Sequence, residues 1–571
     1  MSRFNYDTFT DTAGTALTSH APNTGGSWAV NSAFGTSNAV ISNANRVRAN
    51  INANSIFYCN GTPATADYDV QCDVFVASNV GNFGIIGRAS TNAATYYLLD
   101  YEQSIGAWRI YTLVGGSNVN LTNSAAYPLT VGQTYNVRLS MRGTKISAYV
   151  NDVRVIQITD SNVTQVGKAG LFFLPSTTPS DSVSYHVDNF AAVDAGATSA
   201  VNGTNFFFSP ANWNSDGSGT IQPNNILPSS TFARTANCGA YFVVRGTFVD
   251  GGYCYADLDT TTMTGITANA CPRVIVAVDG VKGSPTLLAA QSGVTQLVLA
   301  KNLTAGDHTF KVYFQGVLQN TQTAMGDRWT NLTTGASCVK VTGIEFDAAA
   351  TITAPVLQPK RLLVFGDSIT EGCDAVGSAN GPGDQDSTVT YAMLLAATLD
   401  AEVGVVGNAY QGYEAAGSGN TPNFPTAYNN YASGLARNWT NAFDYVIDNQ
   451  GTNGTTIASD VQTMMENLRA VAPNAILIKT QTFGHVASAA LSAGIANYQT
   501  AHPSDRKIFF VNFPTASLVN VTNSNDNLHP NVTGHQAYAN GLAPLILADI
   551  ASLNSSTQST IGLGITSGLG F

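Results

Sequence analysis

The sequence predicts three domains: two all-β sandwiches, then an α/β domain whose parallel sheet is covered by helices on both faces. Three observations predict this. At 571 residues the chain exceeds what one hydrophobic core serves. Up to Ala349 it consists of short alternating apolar and polar runs separated by Asn, Gly, Ser and Thr clusters, the pattern of strands and turns. From Lys360 onward strands alternate with helical stripes, which means a parallel sheet. At the start of that last part stands Arg361 to Gly372, RLLVFGDSITEG. Its apolar run stops at Gly366-Asp367-Ser368, as a buried parallel strand does when it hands a serine to a tight turn into a helix. Open α/β sheets place their chemistry at that edge.

Composition narrows the function classes. Charged residues make up 11 % of the chain, the formal net charge is -11, and there are 53 glycines with abundant Asn, Thr and Ser. This suits a β-rich extracellular or virion protein. No basic stripe is present, which argues against nucleic acid, and the acidic balance argues against anionic membranes. The opening MSRFNYDTFTDT has no apolar h-region, so no Sec signal peptide is expected, and no apolar run approaches the ~18 residues of a spanning helix. The seven cysteines, Cys59, Cys72, Cys238, Cys254, Cys271, Cys338 and Cys373, fit neither a disulfide framework nor a zinc cluster. They read as buried thiols, with one bridge among Cys238, Cys254, Cys271 and Cys338 as the alternative. No metal cluster or phosphate-binding glycine loop is expected.

Residues 1–198 form the first sandwich. Its strands include Tyr68 to Val76, Gly84 to Gly87, Tyr96 to Tyr101, Trp108 to Leu113, Tyr135 to Arg142, Lys145 to Val150 and Val153 to Ile158, with a hairpin turn at Asn151-Asp152. Gly196 to Gly203 reads as a small-residue linker. The second β domain, residues 204–349, has strands at Ala240 to Phe248, Tyr253 to Leu258, Val274 to Val278, Thr295 to Ala300 and His308 to Tyr313, and a turn at Asp279-Gly280. His308 is a turn-edge residue. Trp329 either packs in a core or reaches toward the catalytic domain.

Ala350 to Lys360 reads as a linker, and residues 359–553 as the α/β domain. Strands are expected at Leu362 to Phe365, Val403 to Gly407, Tyr445 to Ile447, Ala475 to Ile478 and Ile508 to Phe513. Helices are expected at Tyr391 to Asp400, Ile457 to Val471, Ala487 to Thr500 and Gly534 to Ala551. Ser555 to Phe571 is a Gly/Ser/Thr tail, either flexible or a docking segment.

Three resemblances add to this reading. Asp7 to Val30 (DTFTDTAGTALTSHAPNTGGSWAV) and Tyr185 to Val193 (YHVDNFAAV) resemble the first and last strands of concanavalin-like, laminin-G-like sandwiches, modules that often bind glycans and recur in phage tail proteins and secreted polysaccharide enzymes. That resemblance makes Asp188 and Asn189 candidates for a structural calcium site, with a strand-end cap as the alternative. Leu299 to Phe314 (LAKNLTAGDHTFKVYF) resembles the jelly roll that precedes the catalytic domain of family-two carbohydrate esterases. Four blocks of the last domain match, in order, those of the SGNH (GDSL-type) hydrolases: Gly366-Asp367-Ser368, Gly412, Asn453 in Gly451-Thr452-Asn453, and Asp526-Asn527-Leu528-His529.

The resemblance implies a catalytic set whose chemistry is coherent. Ser368 is the nucleophile and needs a base to take its proton. His529 is that base and later the acid for the leaving group. Asp526, three positions earlier, orients the imidazole, or else caps the last helix. The N–H groups of Ser368 and Gly412 and the amide of Asn453 would form the oxyanion hole, with a simple turn as the alternative for Asn453. The family often has Asp after that asparagine; here it is Gly454, so Asn453 must be held by other contacts. His535 is expected to pack, His485 to lie on a surface loop, and Cys373 to be a packing thiol.

The reading is a serine esterase that removes O-acetyl groups from a polysaccharide such as capsule or O-antigen. It needs no cofactor and is expected on a virion or outside the cell. Its expected partners are the acetylated glycan, other virion proteins and possible further copies of itself. The alternatives are a glycan-binding or structural virion protein with little activity, and a secreted bacterial esterase or lipase.

Overall fold

The computed structural model describes residues 3–31, 38–91, 95–200, 205–214, 232–263, 271–289, 293–316, 327–330, 338–379, 381–437, 439, 443–513 and 517–561. The first domain is a sandwich of an eight-stranded and a seven-stranded antiparallel sheet. Alternation drives it: in Tyr68–Val76 the inward residues Tyr68, Val70, Cys72, Val74 and Val76 are fully buried, while Gln71, Asp73 and Phe75 between them are only partly covered. The first and last strands, Arg3–Asp7 and Tyr185–Asp194, pair with each other, Tyr6 opposite Ala191 and Asp7 opposite Phe190. Asn151 and Asp152 both take left-handed φ, 49° and 64°, which matches the twist of the hairpin they close.

The second β domain packs a five-stranded against a seven-stranded sheet. Two stretches expected to be linkers begin as strands. Ala197–Ala200 pairs with Val339–Phe346, and Thr351–Thr353 pairs with Tyr241–Phe248. Small residues and threonines suit an edge strand as well as a linker, and only the neighbouring sheets decide between them. Residues 201–203 of the first stretch lie outside the described residues.

The third domain contains the parallel sheet. Its strands are β1 (Lys360–Gly366), β2 (Ala401–Gly407), β3 (Tyr445–Asp448), β4 (Ile476–Thr480) and β5 (Ile508–Val511), in spatial order β2-β1-β3-β4-β5. Besides a single turn at Phe424–Ala427, the helices are α1 (Ser368–Glu371), α2 (Tyr391–Thr398), α3 (Ala458–Val471), α4 (Ser488–Ala501) and α5 (Val532–Ile561) among the described residues. Successive residues of β1 serve the two faces. Leu362 and Val364 pack with Tyr391 and Leu395 of α2 and Leu542 and Ile546 of α5. Leu363 and Phe365 pack with Met464, Met465 and Leu468 of α3 and Leu491 and Ile495 of α4. A strand covered on both sides reads as an unbroken apolar run, which is what Leu362 to Phe365 is. Helix α5 runs through Ser555 to Ile561, the start of the expected tail; residues 562–571 lie outside the described residues.

The second and third domains are joined by more than their connection. Asn212 donates to the carbonyl of Val405 at 2.6 Å and accepts from its N–H at 3.1 Å, so one side chain occupies the open edge of β2. Gly404 allows this approach, since a Cβ there would lie 1.8 Å from the Pro210 carbonyl. Tyr241 reaches the same strand, its hydroxyl 2.5 Å from Glu402.

Candidate active site

The strand order reverses between β1 and β3, and ligand crevices of doubly wound sheets open at such a point. β1 ends there in Gly366, where a Cβ would sit 1.8 Å from Thr370 Oγ1, so only glycine permits the turn. Asp367 caps α1 by accepting from the Ile369 N–H at 3.0 Å. Ser368 follows as the first residue of α1, 7 % exposed. Its N–H belongs to the first turn, where a helix supplies no internal acceptor.

The last loop brings the base. Ser368 Oγ lies 2.8 Å from His529 Nε2, and His529 Nδ1 lies 2.6 Å from Asp526 Oδ2. Asp526 Oδ1 also accepts from the backbone N–H groups of His529 at 2.7 Å and Leu528 at 3.0 Å. Asn527 takes a left-handed φ of 64° that makes this loop tight enough. Burial raises the Asp526 carboxyl, but these donors outweigh it and hold the group below the ordinary carboxylate range. The cap of α5 is a different residue, Asn531, which accepts from Gly534 N–H at 3.0 Å. Asp526 is therefore free of the helix-capping role and faces the imidazole.

The expected oxyanion donors come together differently. Asn453 Nδ2 donates to Asp367 Oδ2 at 3.3 Å and to the Gln411 carbonyl at 3.2 Å. Asp367 thus supplies the carboxylate that Gly454 does not. The Gly412 N–H is not open toward Ser368, because it donates to the Ala415 carbonyl at 3.0 Å. Glycine is required at 412 for another reason: a Cβ would lie 2.2 Å from the Asn453 carbonyl, so its absence lets the loop after β2 close onto the turn after β3. Burial pushes the Asp367 carboxyl up to about 6, against the opposing pull of the Ile369 N–H and of Thr452.

Two buried charged pairs, neither apparent in the sequence reading, hold these loops. Lys479, fully buried at the end of β4, donates to the carbonyls of Asp448 at 3.0 Å and Gln450 at 2.6 Å and pairs with Asp448 Oδ1 at 3.3 Å. Asp448 Oδ2 accepts from Tyr413 OH at 2.6 Å, which ties the loops after β2 and β3 to one carboxylate. A lysine inside the apolar run of Ile476–Thr480 was the available signal. Behind the nucleophile, Arg328 of the second domain pairs with Glu371 of α1 and donates to Ser418 Oγ at 3.0 Å. Glu371 also accepts from Ala409 N–H at 3.0 Å. No local pattern links residues so far apart in sequence.

Trp329 is half-buried, and its N–H donates to the Gly419 carbonyl at 3.1 Å, so its segment docks on the catalytic domain. His308 bonds Asp279 at 2.6 Å at a strand edge, as a turn residue. His535 is fully buried, accepts from Tyr391 N–H at 3.3 Å, and is driven down to about 3 by burial. His485 is half-buried against Phe513 rather than on an open loop. All seven cysteines are buried and unbridged, Cys373 among them. Asp188 and Asn189 form a bulge in Tyr185–Asp194, where Asn189 donates to Asp73 at 2.8 Å; Asp188 joins no group of three acidic, histidine or cysteine ligand atoms among the described residues.

No family model matches the sequence, and no curated protein matches it. Solved structures do resemble the fold. A family two carbohydrate esterase from Clostridium thermocellum, in complex with cellohexaose, is 17 % identical with a TM-score of 0.46, over 59 % of this chain and 99 % of that one. A family two carbohydrate esterase from Cellvibrio japonicus is 18 % identical with a TM-score of 0.47, over 62 % of this chain and 98 % of that one. An acetyl xylan esterase from the rumen bacterium Butyrivibrio proteoclasticus is 17 % identical with a TM-score of 0.47, over 62 % of this chain and 99 % of that one. At these values the likeness carries no argument, and function is argued from the atoms of the site.

Proposed function

We propose that this protein is a serine ester hydrolase that forms an acyl-enzyme on Ser368. The observation that carries the reading is the continuous relay from Ser368 Oγ through His529 to Asp526, with contacts of 2.8 and 2.6 Å. Attack forms the Oγ–carbon bond while the serine proton passes to His529 Nε2. Asp526 holds Nδ1–H and stabilises the imidazolium without taking the proton. The carbonyl electron pair moves to oxygen, where the Ser368 N–H donates and one Asn453 proton replaces its long contact to Asp367 or Gln411. Collapse expels the alcohol, which takes the proton from Nε2, and water then repeats the sequence to free the acid.

The substrate class we infer is an O-acetylated polysaccharide. Tyr410, two residues before Gly412, is 68 % exposed although its backbone holds a left-handed φ of 65°. Its neighbours are fixed: Ala409 bonds Glu371 and Ser418, and Gln411 accepts from Asn453. A bulky residue kept in that conformation while exposed suits a platform for a sugar ring. The surrounding segment Asn408 to Phe424 is polar, which suits a glycan better than a long acyl chain. A virion location rests on the resemblance of the first domain and is tested by detecting the chain in purified particles.

The deciding experiment measures acetate release from a panel of O-acetylated polysaccharides by wild type and Ser368→Ala. Release by wild type alone supports the reading. Cleavage of p-nitrophenyl acetate without release from any glycan keeps the mechanism and removes the substrate class. Glycan binding unchanged by Ser368→Ala, with no turnover of any ester, replaces the enzyme with a binding protein.

A further inference from the structure

A second carboxylate faces the imidazole that Asp526 holds. Asp374, in the loop after α1, is fully buried, and its Oδ2 lies 3.7 Å from His529 Nδ1. Its backbone takes a left-handed φ of 51°, unusual outside glycine and tolerated best by Asp and Asn. The loop is tied to the base loop from the other side: Asn525, adjacent to Asp526, donates to the carbonyls of Asp374 at 2.8 Å and Gly377 at 3.1 Å. Two segments remote in sequence thus hold their carboxylates against one nitrogen.

A carboxylate removed from water carries a desolvation cost that a nearby cation offsets. His529 becomes such a cation during the reaction, when it takes the Ser368 proton. A fixed negative charge at 3.7 Å, on a carboxylate that is itself fully buried, favours that state over the neutral ring.

We propose that Asp374 is a positioning residue of the catalytic relay, sharing with Asp526 the stabilisation of the His529 imidazolium. The proposal rests on the serine-esterase reading. Asp374 takes no proton and makes no bond to substrate; the proton moves only between Ser368 Oγ, His529 Nε2 and the leaving group. The other titratable groups facing His529 are Asp526 on its own loop, Asp367 beside the nucleophile and His535 on α5. Asp374→Asn therefore removes one of three negative charges and keeps size and backbone preference.

The test uses the full chain as wild type, Asp374→Asn, Asp526→Asn and the double variant. NMR follows the His529 ring against pH, and kcat/KM for p-nitrophenyl acetate is measured over the same range. The expected result is a His529 midpoint lowered by about one unit in Asp374→Asn, with the acid limb of kcat/KM shifted the same way. Asp526→Asn should lose less than the ~10⁴-fold seen where a single acid orients the base, and the double variant should lose more than either single one. An unchanged midpoint and acid limb in Asp374→Asn would overturn the proposal and leave Asp374 a loop residue. A lowered midpoint in a protein that turns over no ester keeps the electrostatic pairing and discards the esterase reading, so the two failures are distinct.

Discussion

The side-chain amide of Asn453 donates to the Asp367 carboxylate across 3.3 Å, so the residue before the nucleophile aims the side chain assigned to the oxyanion. Asp367→Ala is expected to lower kcat on p-nitrophenyl acetate by about 10²-fold with little change in KM, the size of effect seen when one oxyanion donor is lost. Acid works on the same contact. Burial pushes Asp367 up to about 6, so protonation below that pH takes the charge from the acceptor, weakens the contact to Asn453, and activity falls. Stability moves the other way. The native state binds this proton more readily than the unfolded chain, whose carboxyl titrates near about 4. Between about pH 6 and pH 4 wild type should therefore gain stability relative to Asp367→Ala, which equilibrium unfolding across that range measures.

Arg328 and Glu371 form a buried ion pair between the second domain and the nucleophile helix. Arg328→Met leaves the Glu371 charge stranded and is expected to cost about 3–5 kcal/mol in denaturant unfolding of the catalytic unit. The double variant Arg328→Met, Glu371→Met should recover much of that loss. A double variant no better than the single one would mean that packing rather than charge dominates the site.

In the first domain His20 lies between two carboxylates, with Asp7 at 2.9 Å and Asp11 at 2.8 Å. Burial lowers its pKa, but the two acids outweigh burial and the net shift is upward. A raised histidine contributes stability that is fully present below the unfolded value of about 6.5 and is lost as pH rises through the folded value. His20→Gln should therefore lower the Tm of the first domain by roughly a few degrees at pH 5.5, and by less at pH 9. Thermal scans at both values give the comparison, and an equal loss at each would show that only shape matters.

Tyr410 separates glycan from aryl ester. Tyr410→Ala is expected to raise KM for an acetylated polysaccharide about fivefold, the loss of roughly 1 kcal/mol of ring contact, while leaving p-nitrophenyl acetate turnover near wild type. A parallel loss on both substrates would assign Tyr410 to the shape of the loop instead.

Much of the fold was legible because its signals are local. Tyr68 to Val76 alternates and is a strand with those same ends. Val461, Met464, Met465 and Leu468 repeat at helical spacing and form the buried face of α3. The small-residue stretch at Gly196 looks like a linker because an edge strand without bulky residues has no periodic signature, and its pairing with Val339–Phe346 lies far away in sequence. Gly412 stands at the motif position of an oxyanion donor; its N–H goes to Ala415, and close packing against Asn453 is the reason for glycine.

The order of the β and α/β domains, the strand–turn–helix that presents Ser368, and the D-x-x-H loop that carries Asp526 to His529 are all written in local sequence. Each rests on neighbours in the chain, where side-chain period and turn chemistry act directly. What surrounds them emerges from long-range packing: Asp374 against the imidazole, Asp367 holding Asn453, Lys479 under the loops, and Arg328 paired with Glu371. These are buried charges whose partners lie on other segments. Desolvation forces such groups to find a counter-charge or a set of donors, but which one they find depends on how the sheets pack.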